Sequence, residues 1–193
     1  CDLEVVTVCT GGVEGNAGRA GDPATYYEPQ DDSAKGQIDL ECERRPGTIN
    51  AMIFLNRELT PGAMVTAVIT ATEAKTAALQ ELAVGSKYSE GLATGTGTDQ
   101  IAVASKLGGK AISFAGKHSK VGELIGRTMH DAVLETLALQ NGLTPTGQCS
   151  SLAHLERLGT DSREMCQGIG EFLSRDNADL FEKSFSNIIK DPL

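Results

Sequence analysis

Apolar and polar positions alternate over residues 3–8 and then give way to a glycine-rich run from Thr10 to Pro23, which predicts a strand running into a long loop. Residues 24–36 are polar, acidic and broken by Pro29, so they read as surface. Two further stretches, 37–43 and 48–56, look like strands joined through Arg44-Arg45-Pro46-Gly47, and a hairpin is their simplest pairing. The period then changes. Pro61 suits the first turn of a helix reaching Leu82, with Met64, Val68, Ala71, Ala74, Ala78 and Leu82 in the three-and-four rhythm and Thr66, Thr70 and Glu73 in a polar line on another side. A second glycine-rich stretch, 91–99, precedes two short β-rich runs, 101–104 and 111–114, expected to form a hairpin turning at Gly108-Gly109.

A second long helix is predicted over 120–140, where Val121, Leu124, Ile125, Thr128, Ala132, Val133 and Leu137 share a face and Asn141-Gly142 supplies a stop. On its other face Glu123, Arg127 and Asp131 recur every four residues, the spacing of an ion-pair ladder. Beyond Thr144 the pattern shortens to helical segments near 150–158, 162–173 and 177–190, with Asp161 and Asp176 as candidate caps. The elements add up to an α+β architecture, a mostly antiparallel sheet covered by two long helices in a layered sandwich. Residues 1–143 form the main domain and 144–193 a helical C-terminal extension packed on it.

Composition narrows what such a domain does. At 193 residues, 40 % hydrophobic and 22 % charged, the chain has the makings of one globular core, and no apolar run approaches the roughly 20 residues of a membrane-spanning helix. The net charge of −9 is unevenly spread: residues 1–45 carry ten acids against four bases, 46–143 eight against eight, and 144–193 eight against five. Without a basic face, nucleic acid and anionic membrane surfaces are poor partners. Aromatic residues make up only 4 % and tryptophan is absent, which removes the stacking platforms of single-strand binders. The five scattered cysteines, Cys1, Cys9, Cys42, Cys149 and Cys166, include no CxxC pair and suggest a reducing, cytoplasmic setting. A start at Cys1, without methionine, reads as a trimmed or lost N-terminus, the alternative being an N-terminal cysteine nucleophile.

Nucleotide motifs fail on inspection. In Gly95-Thr96-Gly97-Thr98-Asp99-Gln100 the third glycine of the dinucleotide fingerprint is Gln100, and the segment precedes a strand where a helix is required. Near Gly116-Lys117-His118-Ser119, a P-loop needs glycine at Ala111 and a hydroxyl at His118. The histidines His118, His130 and His154 show no metal-ligand spacing, so no metal site is predicted. What stands out is polar chemistry concentrated on glycine-flanked turns: Asn16, Arg19 and Asp22; Thr48 and Asn50; Thr94, Thr96, Thr98 and Asp99; His118 and Ser119. Glycines beside them let backbone N–H groups approach a ligand, and four such segments in so short a chain point to a shared site.

The segments VEGNAGRAGDPA (13–24), PGTIN (46–50), AVITATEAKTAALQEL (67–82), ATGTGTDQIAVAS (93–105) and GKHSKVGELIG (116–126) together resemble the adenosylcobinamide amidohydrolases of corrinoid salvage. The match covers about residues 5–140. The resemblance implies a prokaryotic cytoplasmic enzyme that hydrolyses the amide joining aminopropanol to the corrin side chain, releasing adenosylcobyric acid and 1-amino-2-propanol for coenzyme B12 assembly. A corrinoid is then the substrate and no cofactor is implied; the DxHxxG cobalt-ligating signature is absent. The alternatives are a corrinoid-binding or sensing module without chemistry, and an amidase for a different small amide.

Amide hydrolysis needs an activated water or nucleophile, donors for the oxyanion and an acid for the leaving amine. His118, the histidine inside a matching segment, is the expected general acid/base, with Asp99 or Glu73 orienting it or holding water. Backbone N–H groups of the turn Gly95, Thr96, Gly97 and Thr98, or of the 11–18 loop, are the expected oxyanion donors. Asn16 and Asn50 are expected to bind peripheral amides, with Arg19, Asp22, Thr94 and Ser119 completing the substrate contacts. A threonine nucleophile from Thr94, Thr96 or Thr98 stays open, and Tyr26 and Tyr27 are the adjacent aromatic pair near a motif.

Overall fold

The computed structural model of the chain describes residues 3–24, 47–148 and 161–188. It is a mixed α/β structure with a small sheet and several helices. β1 (Val5–Gly11) pairs antiparallel with β3 (Ile49–Leu55), Val5 opposite Leu55 and Gly11 opposite Ile49. β3 in turn pairs parallel with β5 (Gln100–Ser105), Asn50 opposite Gln100. A separate short antiparallel ladder joins β2 (Ala17–Gly18) to β4 (Gly95–Thr96).

The main sheet is therefore mixed, which corrects the mostly antiparallel expectation. Between β3 and β5 lies α1 (Pro61–Glu81), and a strand–helix–strand crossover returns the second strand in the direction of the first. The hairpin expected at Gly108-Gly109 does not form. Both glycines do turn the chain, at φ +99° and +93°, but within 111–114 only Ile112 makes a β contact, a single parallel bridge to Leu59. Ile101 and Val103 instead align with the buried Ala51 and Ile53 of β3. The expected strand 37–43, the helix near 150–158, Cys1, His154 and the pair Tyr26–Tyr27 lie outside the described residues.

Burial follows the period of two. Ile49, Ala51, Ile53 and Leu55 are buried while Asn50, Met52 and Phe54 are exposed. The inward set belongs to one apolar cluster with Ala63, Ala67, Ala71 and Ala78 of α1 and with Ile125, Met129, Val133 and Leu137 of α2 (Lys120–Asn141). Alanine on α1 lets that helix approach its neighbours closely. Deleting a fully buried side chain such as Ile53 or Met129 costs about 2–5 kcal/mol. The other sheet face leaves Val6, Val8, Met52 and Phe54 about half exposed. Two threonines fix α2 along β1: the Thr128 and Thr7 hydroxyls meet at 2.8 Å, and Thr136 Oγ1 donates to the Cys9 carbonyl at 3.0 Å.

Side-chain caps and a glycine close the helix ends, and Ser119, expected to contact substrate, is one of these caps. Thr60 caps α1 by accepting the Ala63 N–H, with Pro61 in the first turn, and Ser119 caps α2 by accepting the Gly122 N–H at 3.1 Å. Gly142 ends α2 in the left-handed region at φ +67°, a conformation glycine adopts without steric cost. On the outer face of α2 Glu123 takes Lys120 at 2.9 Å and Arg127 at 3.6 Å, while Asp131 meets His130 at 3.2 Å. Past α3 (Pro145–Gln148), the described part of the extension holds α4 (Ser162–Gly170), capped by Asp161, and α5 (Arg175–Ile188). Asp176 falls inside the first turn of α5 and is not its cap. Phe181 and Phe185 stack tilted on α5 with centroids 5.2 Å apart.

Candidate active site

Two of the glycine-rich loops are brought together by the short β2–β4 ladder. That ladder sets residues 16–22 against residues 94–99, and a cavity of about 850 Å³ opens between them, with Thr72, Lys75 and Thr76 of α1 as its third wall. Asn16, Arg19, Asp22, Thr94, Gly95, Thr96, Gly97, Thr98 and Asp99 all line it, so nine of the residues singled out from the sequence share one space. The volume falls within the range of small-molecule sites.

Asp99 is the hub of this cavity. One carboxylate oxygen accepts the Thr96 hydroxyl at 2.5 Å and the Ile49 N–H at 3.0 Å; the other accepts the Thr96 N–H at 3.1 Å and forms an ion pair with Lys75. Lys75 is buried, 6 % exposed, on the side of α1 that also turns Thr72 and Thr76 toward the cavity. A charge withdrawn from water this far needs a partner, and Asp99 is the acceptor it meets among the described residues. Gly95 sits directly against the pair: a Cβ there would collide with the Asp99 carboxylate and stand 2.7 Å from Lys75 Nζ. The half-buried Cys9 thiol lies near enough to feel both charges. Burial first, then the negative charge of Asp99, push it up to about 11 against a smaller opposing effect of Lys75, so it stays protonated at neutral pH and is a poor nucleophile.

The facing loop is tied by its own polar groups. Asn16 donates to the Gly47 carbonyl at 3.3 Å and to Thr98 Oγ1 at 3.4 Å, and accepts the Tyr88 hydroxyl at 3.0 Å. Asp22 accepts the Ser86 hydroxyl at 2.6 Å and the Arg19 N–H at 2.7 Å, and these hydrogen bonds, Ser86 foremost, hold its carboxyl below the usual range. Arg19 reaches the Leu92 carbonyl at 3.2 Å, and Thr94 Oγ1 accepts the Ala20 N–H at 2.8 Å. Thr48 donates to the Thr98 carbonyl at 2.9 Å, fastening the 94–99 turn to the start of β3.

The remaining candidates lie elsewhere. His118 and Glu73 line a separate cavity of about 250 Å³ with Thr66, Thr70, Phe114 and Lys117, on nearly the opposite side of α1 from Lys75. His118 is exposed, and Glu73 is engaged by Lys117 at 2.6 Å. Ser119 is the cap of α2, accepting from Gly122 and donating to the Gly116 carbonyl. Asn50 points to the exposed face of the sheet between Thr10 and Gln100. Among the described residues no group of three or more His, Cys, Asp or Glu side chains could hold a metal ion, and no helix is long and apolar enough to cross a membrane. Thr72, Lys75, Thr76 and Tyr88 are polar cavity residues that sequence reasoning passed over. The signal for Lys75 was present: it sits four residues after Ala71 and four before Leu79, both fully buried, so it occupies an inward position.

The domain thus joins a cavity of small-molecule size to an ion pair withdrawn from water and a hydroxyl on its carboxylate. The chain belongs to the adenosylcobinamide amidohydrolase (CbiZ) family, whose model matches residues 1–145. It is also 40 % identical over 143 residues to the uncharacterized protein MJ1613 of Methanocaldococcus jannaschii, an alignment covering 72 % of this chain and 56 % of that protein. The chain thus spans little more than half the length of that relative. No solved structure matches it.

Proposed function

We propose that the chain hydrolyses the aminopropanol amide of adenosylcobinamide, giving adenosylcobyric acid and 1-amino-2-propanol, a step of cobinamide salvage toward coenzyme B12 in a prokaryotic cytoplasm. Family membership supports the substrate class. The observation that carries the siting of the reaction is the buried Lys75–Asp99 pair in the wall of the large cavity. The cavity accepts the amide-bearing arm, and the corrin ring rests at its mouth near Tyr88, which is 38 % exposed. Lys75 supplies positive charge where the tetrahedral oxyanion develops, together with backbone N–H groups of the 95–98 turn. Asp99 manages the proton, and Asn16 and Arg19 contact the peripheral amides of the substrate. In this reading the corrinoid is substrate, and His118, Glu73, Asn50 and Ser119 stand outside the reacting centre.

Incubation with adenosylcobinamide and quantification of released 1-amino-2-propanol by mass spectrometry tests the assignment. Wild-type protein releases the amine, and Lys75→Met slows release by about 100-fold or more. Corrinoid binding without release identifies a binding module instead, and an unchanged rate in Lys75→Met moves the reaction out of this cavity.

A further inference from the structure

We infer that Thr96 is the nucleophile of the reaction and that turnover passes through a covalent ester between its hydroxyl and the corrinoid acyl group; this rests on the amide hydrolysis proposed above. The cavity wall carries several hydroxyls, and their hydrogen bonds separate them. Thr72 and Thr76 donate to main-chain carbonyls, at 2.8 Å to Val68 and at 3.0 and 3.1 Å to Thr72 and Thr94. Thr94 accepts from the Ala20 N–H and Thr98 from the Asn16 amide. Among the described residues of that wall, Thr96 alone sends its proton to a carboxylate, at 2.5 Å. Ser86 also donates to a carboxylate, that of Asp22, but it is not among the residues that line the cavity.

The three-part order of nucleophile, proton acceptor and a third group that fixes the acceptor is the arrangement that activates a hydroxyl. Here it reads Thr96, Asp99, Lys75. The carboxylate cannot swing away, because its other oxygen is held by Lys75 and the Thr96 N–H, and the Ile49 N–H holds the first. β4 presents Thr96 by pairing it with Ala17, and Gly95 keeps the space beside the carboxylate clear. In the first half-reaction the Thr96 oxygen bonds to the amide carbon while its proton passes to Asp99. The carbon–nitrogen bond then breaks with its electron pair on nitrogen, and the amine leaves carrying the proton from Asp99. In the second, water adds to the ester carbon, giving its proton to Asp99. The ester bond breaks, Thr96 recovers a proton and the acid is released. The sum is amide plus water giving acid plus amine.

Three measurements on the full chain decide it. Acid-quenched wild-type protein in steady state shows an added corrinoid acyl mass on the peptide containing residues 94–99. Hydroxylamine added during turnover diverts part of the product to the corrinoid hydroxamate. Thr96→Val, which keeps the β-branched shape, retains corrinoid affinity but loses at least about 1,000-fold in rate and forms no adduct, whereas Thr96→Ser retains both adduct and turnover. A wild-type protein that releases aminopropanol with neither adduct nor hydroxamate, or a Thr96→Val protein within about tenfold of wild type, overturns the nucleophile and leaves the hydrolysis standing. A wild-type protein that releases no aminopropanol overturns the hydrolysis, and the nucleophile with it.

Discussion

Removing the two partners of the buried pair one at a time should have unequal costs, because their surroundings differ. Breaking a buried ion pair from one side costs about 3–5 kcal/mol, the expense of a charge left without its counter-charge. After Lys75→Met, Asp99 still accepts from Thr96 N, Thr96 Oγ1 and Ile49 N, so its carboxylate keeps three donors and the loss lies near the lower end, about 3 kcal/mol. After Asp99→Ala, the Lys75 ammonium, in a residue only 6 % exposed, has no acceptor among the described residues, and the backbone donors of Thr96 and Ile49 lose theirs; about 5 kcal/mol is expected. The double variant removes both charges together and should be more stable than the sum of the singles by at least about 2 kcal/mol. Urea unfolding followed by circular dichroism reads these values. At a slope of about 2 kcal/mol per molar, Lys75→Met moves the midpoint down by about 1.5 M. Single effects that add to within about 0.5 kcal/mol, or a Lys75→Met cost below about 1 kcal/mol, would show that the pair is not a buried, coupled unit and would remove the physical basis for the site.

Gly95→Ala places a methyl group against Asp99 and 2.7 Å from Lys75 Nζ, so it should cost about 1–3 kcal/mol in the same unfolding assay and displace Thr96, with turnover lost out of proportion to stability. His118→Ala and Glu73→Gln should turn over adenosylcobinamide within a few-fold of wild type, since both line the separate cavity; a drop of orders of magnitude in either kcat would put the reaction there. His130, held by Glu81 at 3.0 Å and Asp131 at 3.2 Å, has its pKa lowered by burial but raised by more through hydrogen bonds to Asp131 and Glu81, for a net rise above 6.5. Its contribution is therefore complete below about pH 6.5 and fades as pH rises through the higher folded value. Half-exposed partners keep it to about 0.2–1 kcal/mol. Thermal melts of wild type and His130→Gln should converge from pH 6 to pH 8.5, and a gap that widens with pH contradicts the assignment.

Local patterns were legible where one residue type decides one geometry. Pro61 announced the start of α1 and Asn141-Gly142 the stop of α2, whereas Ser119, read as a substrate contact, is the cap of α2, and the apolar Met52 and Phe54 give no sign in sequence that they face outward from β3. The direction of β5 was not legible. Its half-buried, half-exposed alternation suits either orientation, and the choice is made by the crossover through α1 and by contact with Ala51 and Ile53. The same blindness to long-range pairing split the expected site. Nine of its residues come together across the β2–β4 ladder, but proximity in sequence to Ser119 and to the α1 motif drew in His118 and Glu73, which line a separate cavity on nearly the opposite side of α1 from Lys75. Lys75 was overlooked for the converse reason: a lysine reads as surface until the buried alanines around it are counted.

Asp99 also takes the N–H of Ile49, the first residue of β3, at 3.0 Å. The first rung of the sheet and the proposed catalytic carboxylate therefore open and close as one event. The amide proton of Ile49 becomes a built-in gauge of the site. Its exchange with solvent deuterium slows when a ligand locks the carboxylate in place, and accelerates when Lys75 no longer restrains it, with no need for turnover to be observed at all.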